Sequence, residues 1–388
     1  MTVRRLGLAT HAIHGKPHKK SDRSPVVTPV VQTSTFVNPV GSGDEVLYTR
    51  YGNNPNQTQV AQRLALLEGA DSAVMFSSGM AATALAHLAV LRPGDHLLAT
   101  DWIYGGTRSL FEHEFEKLGI SITFVDPARP RDWKRYANKN TRAVFVETPT
   151  NPLARVIDLD PLAQLCRQRG MVFLVDSTFA SPANFRPIEW GADLVIHSAT
   201  KYLNGHSDVV AGAVAGNAEL IEEMRNLSKR WGPSLDPNAA WLVERGMKTL
   251  SVRMERHNAN ALAFAQWADE QTSIVAVHYP GLPDHEDHEL ASRTLDGFGG
   301  IVGIQIKGGA KAADAMLRKL RLAIHAPSLG GVETLVSEPR FTSHAEFTAK
   351  QRKAQGIPDG FVRVSVGIED VDDIIRDFER ALATVSRT

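Results

Sequence analysis

The chain has 388 residues, of which 43% are hydrophobic and 22% charged, a composition typical of a globular protein with more than one hydrophobic core. Its 43 Lys and Arg residues balance its 43 Asp and Glu residues, so no net charge attracts nucleic acid or an anionic membrane. No apolar run approaches the roughly 20 residues that are needed to cross a bilayer.

The N-terminal region carries no signal for export. Its basic residues are not followed by the apolar segment of a secretory signal. Residues 1–57 have few periodic signals and several prolines, which predicts an extended arm that contacts a neighbouring subunit. The single cysteine, Cys166, excludes an internal disulfide and is typical of a reducing compartment. We therefore expect a cytoplasmic protein.

Alternating helical and strand patterns begin near residue 58. The predicted strands are the short apolar runs 73–76, 96–100, 120–125, 142–147, 171–176, 193–197 and 209–215. Helical patterns separate several of them, among them one that extends from the turn at Gly105 to residue 117. Short, continuously apolar strands of this kind indicate a largely parallel sheet covered by helices on both sides. We assign residues 58–235 to this large α/β domain.

The pattern changes after residue 235. A long helix is predicted over residues 238–268, and two apolar strands are predicted at 301–306 and 361–366. A helical stretch lies between these strands, and an amphipathic helix closes the chain from residue 370. We assign residues 236–388 to a smaller C-terminal α/β domain.

A lysine follows the predicted strand 193–197, in the stretch Ser198-Ala-Thr200-Lys201-Tyr-Leu-Asn-Gly205. A lysine in a tight, partly desolvated turn loses part of its preference for the charged form, so its amine can act as a nucleophile or base near neutral pH. Most lysines after a strand are simply solvated. The lysine alone therefore does not establish a catalytic role.

Three further features lie at predicted strand ends, where parallel sheets bind their ligands. Ser77-Ser78-Gly79-Met80 joins a strand to a helix, which predicts either a phosphate site of backbone amides and hydroxyls or an ordinary N-cap by Ser78. Asp176 ends an apolar strand, where its carboxylate needs a partner. The partner is either a protonated ring nitrogen or the backbone of the following residues, which Asp176 would cap. Tyr104 precedes two glycines that let the backbone approach a flat ligand.

Together these four features match the requirements of pyridoxal phosphate. This cofactor needs a lysine for a Schiff base, an acid beside its ring nitrogen, an anion site for its phosphate and an aromatic ring that stacks on it. The spacing between Asp176 and Lys201 leaves room for one helix and one strand, so both can lie at neighbouring strand ends. The combination is far more specific than any one of its members.

Motifs that contain these residues extend over nearly the whole chain. They are Tyr48-Thr-Arg50, Ser77-Ser-Gly-Met80, Tyr104-Gly-Gly-Thr, Glu147-Thr-Pro-Thr-Asn151-Pro, Asp176-Ser-Thr178, Ser198-Ala-Thr-Lys-Tyr, Ser328-Leu-Gly-Gly and Arg363-Val-Ser-Val-Gly. The set resembles the Cys/Met-metabolism family of pyridoxal-phosphate enzymes, which includes cystathionine lyases and synthases, methionine γ-lyases and O-acylhomoserine sulfhydrylases. The resemblance implies a type I aminotransferase-like α/β fold, pyridoxal 5'-phosphate as cofactor and a homotetramer of two active dimers.

The resemblance also implies a role for each matching residue. Lys201 holds the cofactor through a Schiff base and then moves protons, Asp176 pairs with the ring nitrogen, and Tyr104 stacks on the ring and can act as a second base. The remaining cofactor-binding residues are Ser78, Gly79, Met80, Thr178, Ser198 and Thr200, with Tyr48 and Arg50 from the neighbouring subunit. Arg363 binds the carboxylate of a small amino-acid substrate, with Ser328 and Asn151 nearby. No metal is expected, and the stretch 284–288 is interpreted as a solvated loop rather than a metal site.

The distal part of the implied pocket departs from the family pattern. Members that act on cystathionine place charged side chains at the positions of Leu47, Ser109 and Pro327, none of which is charged here. A pocket without those charges binds a zwitterionic end poorly, because desolvated charges need partners. Arg108, next to Ser109, is an alternative source of charge. Methionine γ-lyases carry a cysteine at the position of Gly106.

We therefore expect γ- or β-elimination or replacement on a sulfur-containing or homoserine-derived amino acid, in a distal pocket less polar than that of cystathionine enzymes. Two alternatives stay open, namely γ-replacement of the cystathionine γ-synthase or O-acylhomoserine sulfhydrylase type and a non-catalytic protein with the same fold. A nicotinamide-dependent oxidoreductase would need Gly-x-Gly-x-x-Gly after its first strand, which Ser77-Ser-Gly-Met-Ala-Ala does not supply.

Overall fold

The structure is a computed structural model that describes residues 6–15 and 24–383. A seven-stranded, mainly parallel sheet forms its first half. Its strands are β1 (Ser72–Phe76), β2 (His96–Thr100), β3 (Ser121–Val125), β4 (Thr141–Glu147), β5 (Val172–Asp176), β6 (Leu194–His197) and β7 (Gly212–Gly216). Their order is β1-β7-β6-β5-β4-β2-β3, with β7 antiparallel to both of its neighbours and the pairs from β6 to β3 parallel. The predicted large, mainly parallel sheet is confirmed.

Helices cover both faces of this sheet, which explains why its strands are apolar on both sides. The helices are α1 (Leu8–His14), α2 (Pro55–Glu68), α3 (Gly79–Val90), α4 (Gly105–Ser109), α5 (Asp160–Arg169), α6 (Ser181–Asn184) and α7 (Ala218–Trp231). One face packs on α3 and α7, around Phe76 and Phe145. The opposite face packs on α2 in one cluster and on α5 in another.

The second half of the chain forms a smaller α/β unit around a five-stranded sheet. The elements of this half are α8 (Pro237–Met247), α9 (Leu250–Asp269), β8 (Ile274–His278), α10 (His288–Thr294), β9 (Ile301–Ile306), α11 (Gly309–Leu317), β10 (Ile324–His325), β11 (Leu335–Ser337), α12 (Ala349–Ala354), β12 (Phe361–Ser365) and α13 (Val371–Leu382). Of these, α8 packs with α2 against the large sheet rather than on the small one. The strand order is β10-β11-β12-β9-β8, and α9, α11 and α13 pack on it around Phe264 and Phe378. The predicted strands 301–306 and 361–366 are β9 and β12, at the centre of this sheet.

Two predicted helices differ from the structure. The helix predicted over 238–268 is two helices, because the chain leaves the helical conformation at Thr249, where φ is −108° and ψ is 9°. Both pieces bury apolar residues, such as Val243 and Phe264, so the periodic pattern runs across the break. The helix predicted up to residue 117 is α4 followed by a π-helical segment, Leu110–Phe115.

The predicted arm contacts α2 and α8 and is extended only in part, because it contains the helix α1 and a short 3₁₀ turn, Thr49–Tyr51. Asn56 of α2 binds the backbone of Pro29 and Val31, and Thr28 donates to Glu244 of α8. Residues 1–5 and 16–23 of the arm lie outside the described residues. The domain boundaries at 57 and 235 stay a prediction. In the part of the chain that the structure describes, no helix has the length and apolarity to span a bilayer.

Candidate active site

A cavity of about 750 Å³ lies at the carboxyl ends of β4, β5 and β6, beside the first turn of α3. This edge is where parallel sheets bind their ligands. Twelve of the predicted site residues line the cavity: Ser78, Gly79, Met80, Tyr104, Asn151, Asp176, Thr178, Ser198, Thr200, Lys201, Ser328 and Arg363. The fold therefore brings together residues from both halves of the chain. Tyr48 and Arg50 are not part of this lining.

Lys201 lies in the tight turn that follows β6. Its backbone N–H donates to the Ser198 carbonyl at 3.1 Å, and its Nζ donates to the Ser328 hydroxyl at 2.6 Å. Burial and the neighbouring Arg363 guanidinium lower the pKa of Lys201 to about 8. A fraction of the amine is therefore uncharged near neutral pH and can act as a nucleophile or base.

The anion site is predicted at the first turn of α3, which lines the cavity. Ser78 caps this helix by accepting the Ala81 N–H at 3.1 Å, so the N-cap interpretation is also correct. A Cβ at Gly79 would lie 2.8 Å from Ser198 Cβ, and only glycine lets the helix approach the turn that carries Ser198 and Thr200 this closely. Free backbone amides of a helix start beside two hydroxyls are suited to a phosphate group.

Asp176 and Glu147 end the adjacent strands β5 and β4 and are partners in register. Asp176 accepts the Thr178 N–H at 2.9 Å, and the Thr178 hydroxyl accepts the Ser198 N–H at 2.9 Å. Burial raises the pKa of Asp176, and burial together with Asp176 raises the pKa of Glu147 to about 8. Within the described chain, both carboxyls are bound by backbone amides and not by a lysine or arginine. A cationic ring nitrogen beside Asp176 would supply the missing opposite charge.

Tyr104 is the N-cap residue of α4 and lines the cavity, with 42% of its surface exposed. Its ring packs against the backbone of Gly106, where a Cβ would lie 2.6 Å from Tyr104 Cε1. The cysteine that methionine γ-lyases carry at this position would collide with the ring in this orientation. The exposed ring is free to stack on a flat ligand.

Arg363 reaches the cavity from β12 and is buried. Its Nη1 donates to Asn151 Oδ1 at 3.1 Å and its Nη2 donates to the Ser328 carbonyl at 2.7 Å. Its Nε has no hydrogen-bond partner among the described residues. Burial lowers the pKa of Arg363 to about 10. Because its partners in the described chain are neutral, the guanidinium can bind a ligand carboxylate. Ser328, which contacts both Lys201 and Arg363, has a left-handed φ of 89°.

The cavity is also lined by Pro327, one of the three predicted distal positions, and by Phe341, Ser343 and Glu338. His325 lines it as well, with its Nε2 3.7 Å from Glu338 Oε2. Leu47 and Ser109, the other two predicted distal positions, do not line it. Glu338 is already engaged by Arg340, whose Nε donates to Oε1 at 3.0 Å. Arg108 does not line the cavity. It is paired with Asp101 at 2.7 Å and with Glu112 at 2.8 Å.

The remaining predicted positions lie away from the cavity. Arg50 donates to the Lys229 carbonyl at 2.6 Å and stacks on Tyr48. The stretch 284–288 is not simply solvated, because Asp287 is mostly buried and accepts from Arg155 Nε at 2.5 Å. Among the described residues, no group of three His, Cys, Asp or Glu side chains could hold a metal ion.

Sequence reasoning assigned no role to Glu147 or Glu338, although both line the cavity. Glu147 could have been found, because it ends a predicted strand in the same motif as Asn151. Glu338 had no such signal. Its position depends on the short strand β11, which the hydrophobic pattern did not predict.

The comparisons with known proteins agree with this geometry. Residues 9–383 match the sequence profile described as Cys/Met metabolism PLP-dependent enzyme. The chain is 39% identical to an L-methionine gamma-lyase of Fusobacterium nucleatum subsp. polymorphum, over 99% of this chain and 100% of that protein. It is 43% identical to a cystathionine gamma-synthase of Mycobacterium bovis, over 97% of each protein.

A solved structure gives the same result for the fold. The cystathionine gamma synthase from Xanthomonas oryzae pv. oryzae, in complex with aminoacrylate and cysteine, superposes with a TM-score of 0.95 at 37% identity and covers 99% of this chain and 100% of its own. The predicted type I aminotransferase-like fold is confirmed. The protein is an enzyme of the Cys/Met metabolism family, and its cofactor is pyridoxal phosphate.

Proposed function

We propose that this enzyme eliminates or replaces a γ- or β-substituent of a sulfur-containing or homoserine-derived amino acid whose distal side chain is less polar than that of cystathionine. Membership of the family supports γ-elimination or replacement on such amino acids. The observation that carries the finer proposal is the distal end of the cavity. Pro327 and Phe341 are uncharged there, and Glu338 is paired with Arg340. A zwitterionic distal end would therefore find few free charged partners.

Pyridoxal phosphate, when bound, supplies an aldehyde for the substrate amine and an electron-withdrawing ring that stabilises negative charge at Cα. Lys201 and Asp176 are the residues that would hold its reactive group and its ring nitrogen, and Tyr104 would stack on the ring. Arg363 binds the substrate carboxylate and so fixes the direction of the Cα–H bond. Lys201, with its lowered pKa, takes the Cα proton and returns a proton to the product. Ser328 orients the Lys201 amine for both transfers.

A substrate panel tests the proposal. Methionine, homocysteine, cystathionine, cysteine and O-acylhomoserines are each supplied, with and without cysteine as a nucleophile, and scored for 2-oxobutanoate, pyruvate and thioether products. We expect turnover of the smaller substrates and weak turnover of cystathionine. Strong and selective turnover of cystathionine would refute the pocket argument.

The same panel tests the second candidate, γ-replacement that joins cysteine to an O-acylhomoserine. This candidate is favoured by the 43% identity to a cystathionine gamma-synthase. If it is correct, cysteine will be consumed in step with the O-acylhomoserine, and a thioether will replace 2-oxobutanoate as the main product.

We also propose that Tyr48 and Arg50 serve the cavity of a neighbouring subunit in a homotetramer of two active dimers. Their position outside their own cavity supports this, as do the exposed Val26, Val37 and Val40 of the arm. The test is to co-express the Lys201→Ala and Arg50→Ala variants. A mixed dimer restores one intact site if Arg50 acts across the interface. Activity no higher than that of the two variants separately would contradict the proposal.

A further inference from the structure

Glu147 is a buried carboxyl at the centre of the site to which the proposed function gives no task. It is 5% exposed and lines the cavity at the end of β4. Both of its oxygens are used. Oε2 accepts the Tyr104 N–H at 2.8 Å, and Oε1 accepts the Asn151 N–H at 2.9 Å.

The two amides belong to separate loops. Tyr104 stands after β2, whereas Asn151 stands after β4. Asn151 in turn accepts from Arg363 Nη1 at 3.1 Å, which links the carboxylate-binding arginine to the same network. The Glu147 carboxyl therefore fixes the backbone of Tyr104 relative to Arg363. Because a single buried side chain accepts both amides, a shift of either loop disturbs the hydrogen bond to the other.

We propose that Glu147 is a positioning residue. It fixes the Tyr104 backbone relative to Asn151 and, through Asn151, relative to Arg363. The argument for substrate binding rests on the proposed function, in which Arg363 binds the substrate carboxylate. Loss of the Glu147 carboxylate then weakens carboxylate binding through Asn151 and disturbs the ring through Tyr104. A residue that served only stability would lower the amount of folded enzyme without these two effects.

The test is the Glu147→Gln variant, loaded with cofactor. The amide keeps one carbonyl acceptor but presents an NH₂ group to one of the two backbone donors, so one hydrogen bond is lost. We expect faster hydrogen exchange at the Tyr104 and Asn151 amides. We also expect about 10-fold weaker binding of norleucine, used as an amino-acid probe, and a similar rise in KM.

A matched control is available in the C-terminal unit. Asp377 is likewise a buried carboxylate, 6% exposed, and accepts the backbone N–H groups of Arg321, Leu322 and Ala323. Asp377→Asn should lower thermal stability and leave KM, norleucine affinity and exchange at Tyr104 and Asn151 unchanged. The proposal is overturned if Glu147→Gln behaves in the same way as this control.

Two further measurements keep the result interpretable. If Glu147→Gln does not fold, Glu147→Asp replaces it as the test variant. It keeps the carboxyl group but is too short to reach both amides, so the Tyr104 or the Asn151 amide must exchange faster. The proposal fails if neither amide does. Hydrogen exchange does not depend on turnover. A wild type that converts none of the panel substrates would therefore refute the proposed function, while the exchange data would still decide the role of Glu147.

Discussion

Gly79 is the position where the smallest change should have a large effect on the cofactor site. It begins α3, and a Cβ placed there would lie 2.8 Å from Ser198 Cβ and 2.9 Å from Ser198 Oγ. Ordinary contact starts at 3.4 Å, so Gly79→Ala must push the helix start and the turn apart by about 0.6 Å. We propose that these two segments bind the cofactor phosphate, and we expect their separation to weaken the hydrogen bonds that they make to it.

The magnitude follows from the length of a hydrogen bond. A donor–acceptor distance near 2.9 Å that grows by about 0.6 Å leaves the range in which such a bond is effective. A hydrogen bond to a charged group contributes about 1.5–3 kcal/mol, so the loss of one such bond costs about 2 kcal/mol. This corresponds to roughly 30-fold weaker binding of pyridoxal phosphate.

Titration of cofactor-free protein measures this change, with pyridoxal as a second ligand that lacks the phosphate. Gly79→Ala should weaken binding of pyridoxal phosphate and leave pyridoxal nearly unaffected. Gly7→Ala is the control, because Gly7 has a φ of −72° and its added Cβ would have no atom of the described residues within 4 Å. Adding Ser198→Gly to Gly79→Ala removes the colliding Cβ and should recover part of the affinity. The steric argument is wrong if Gly79→Ala binds both ligands as the wild type does.

Three further predictions concern the charged residues. Arg363→Lys should raise KM for the amino-acid substrate about 100-fold with a smaller change in kcat, because lysine cannot bind a carboxylate through a planar fork; an unchanged KM would contradict this role. Lys201→Ala should abolish both turnover and the visible absorbance of the bound cofactor, and a surviving band would remove Lys201 from its role. In cofactor-free protein, the free energy of unfolding of the wild type relative to Glu147→Gln should fall as the pH rises from 4.5 to about 8. These are the ordinary pKa of a glutamate and the raised pKa of Glu147, whose protonated form the fold favours. Urea unfolding across this pH range checks the sign, and a constant difference would contradict it.

The central strands and the site residues on them could be predicted from the sequence for a physical reason. A strand that is buried on both faces must be continuously apolar, so a polar residue such as Asp176 marks the place where the strand ends. Carboxyl ends of parallel strands meet at one edge, and Lys201 and Asp176 were therefore expected near each other. The structure places both in one cavity.

Other features could not be predicted because they depend on contacts between distant parts of the chain. β10 is two residues long and exposed, so it has no apolar pattern to recognise. Arg108, a predicted alternative charge for the distal pocket, is paired with Asp101 and Glu112 instead. Whether a surface arginine is free or paired is decided by the tertiary fold rather than by its neighbours in sequence.

Four of the acidic and basic side chains that line the cavity are not paired with one another. Two carboxyls, Asp176 and Glu147, and two cations, Lys201 and Arg363, line the same space, but none of the ion pairs in the described chain joins one set to the other. Each group is held by amides or hydroxyls instead. A buried internal ion pair would have to break before either partner could bind a ligand, which costs several kcal/mol. Because these groups are not paired with one another, Asp176 stays available to a cationic ring nitrogen and Arg363 stays available to a substrate carboxylate.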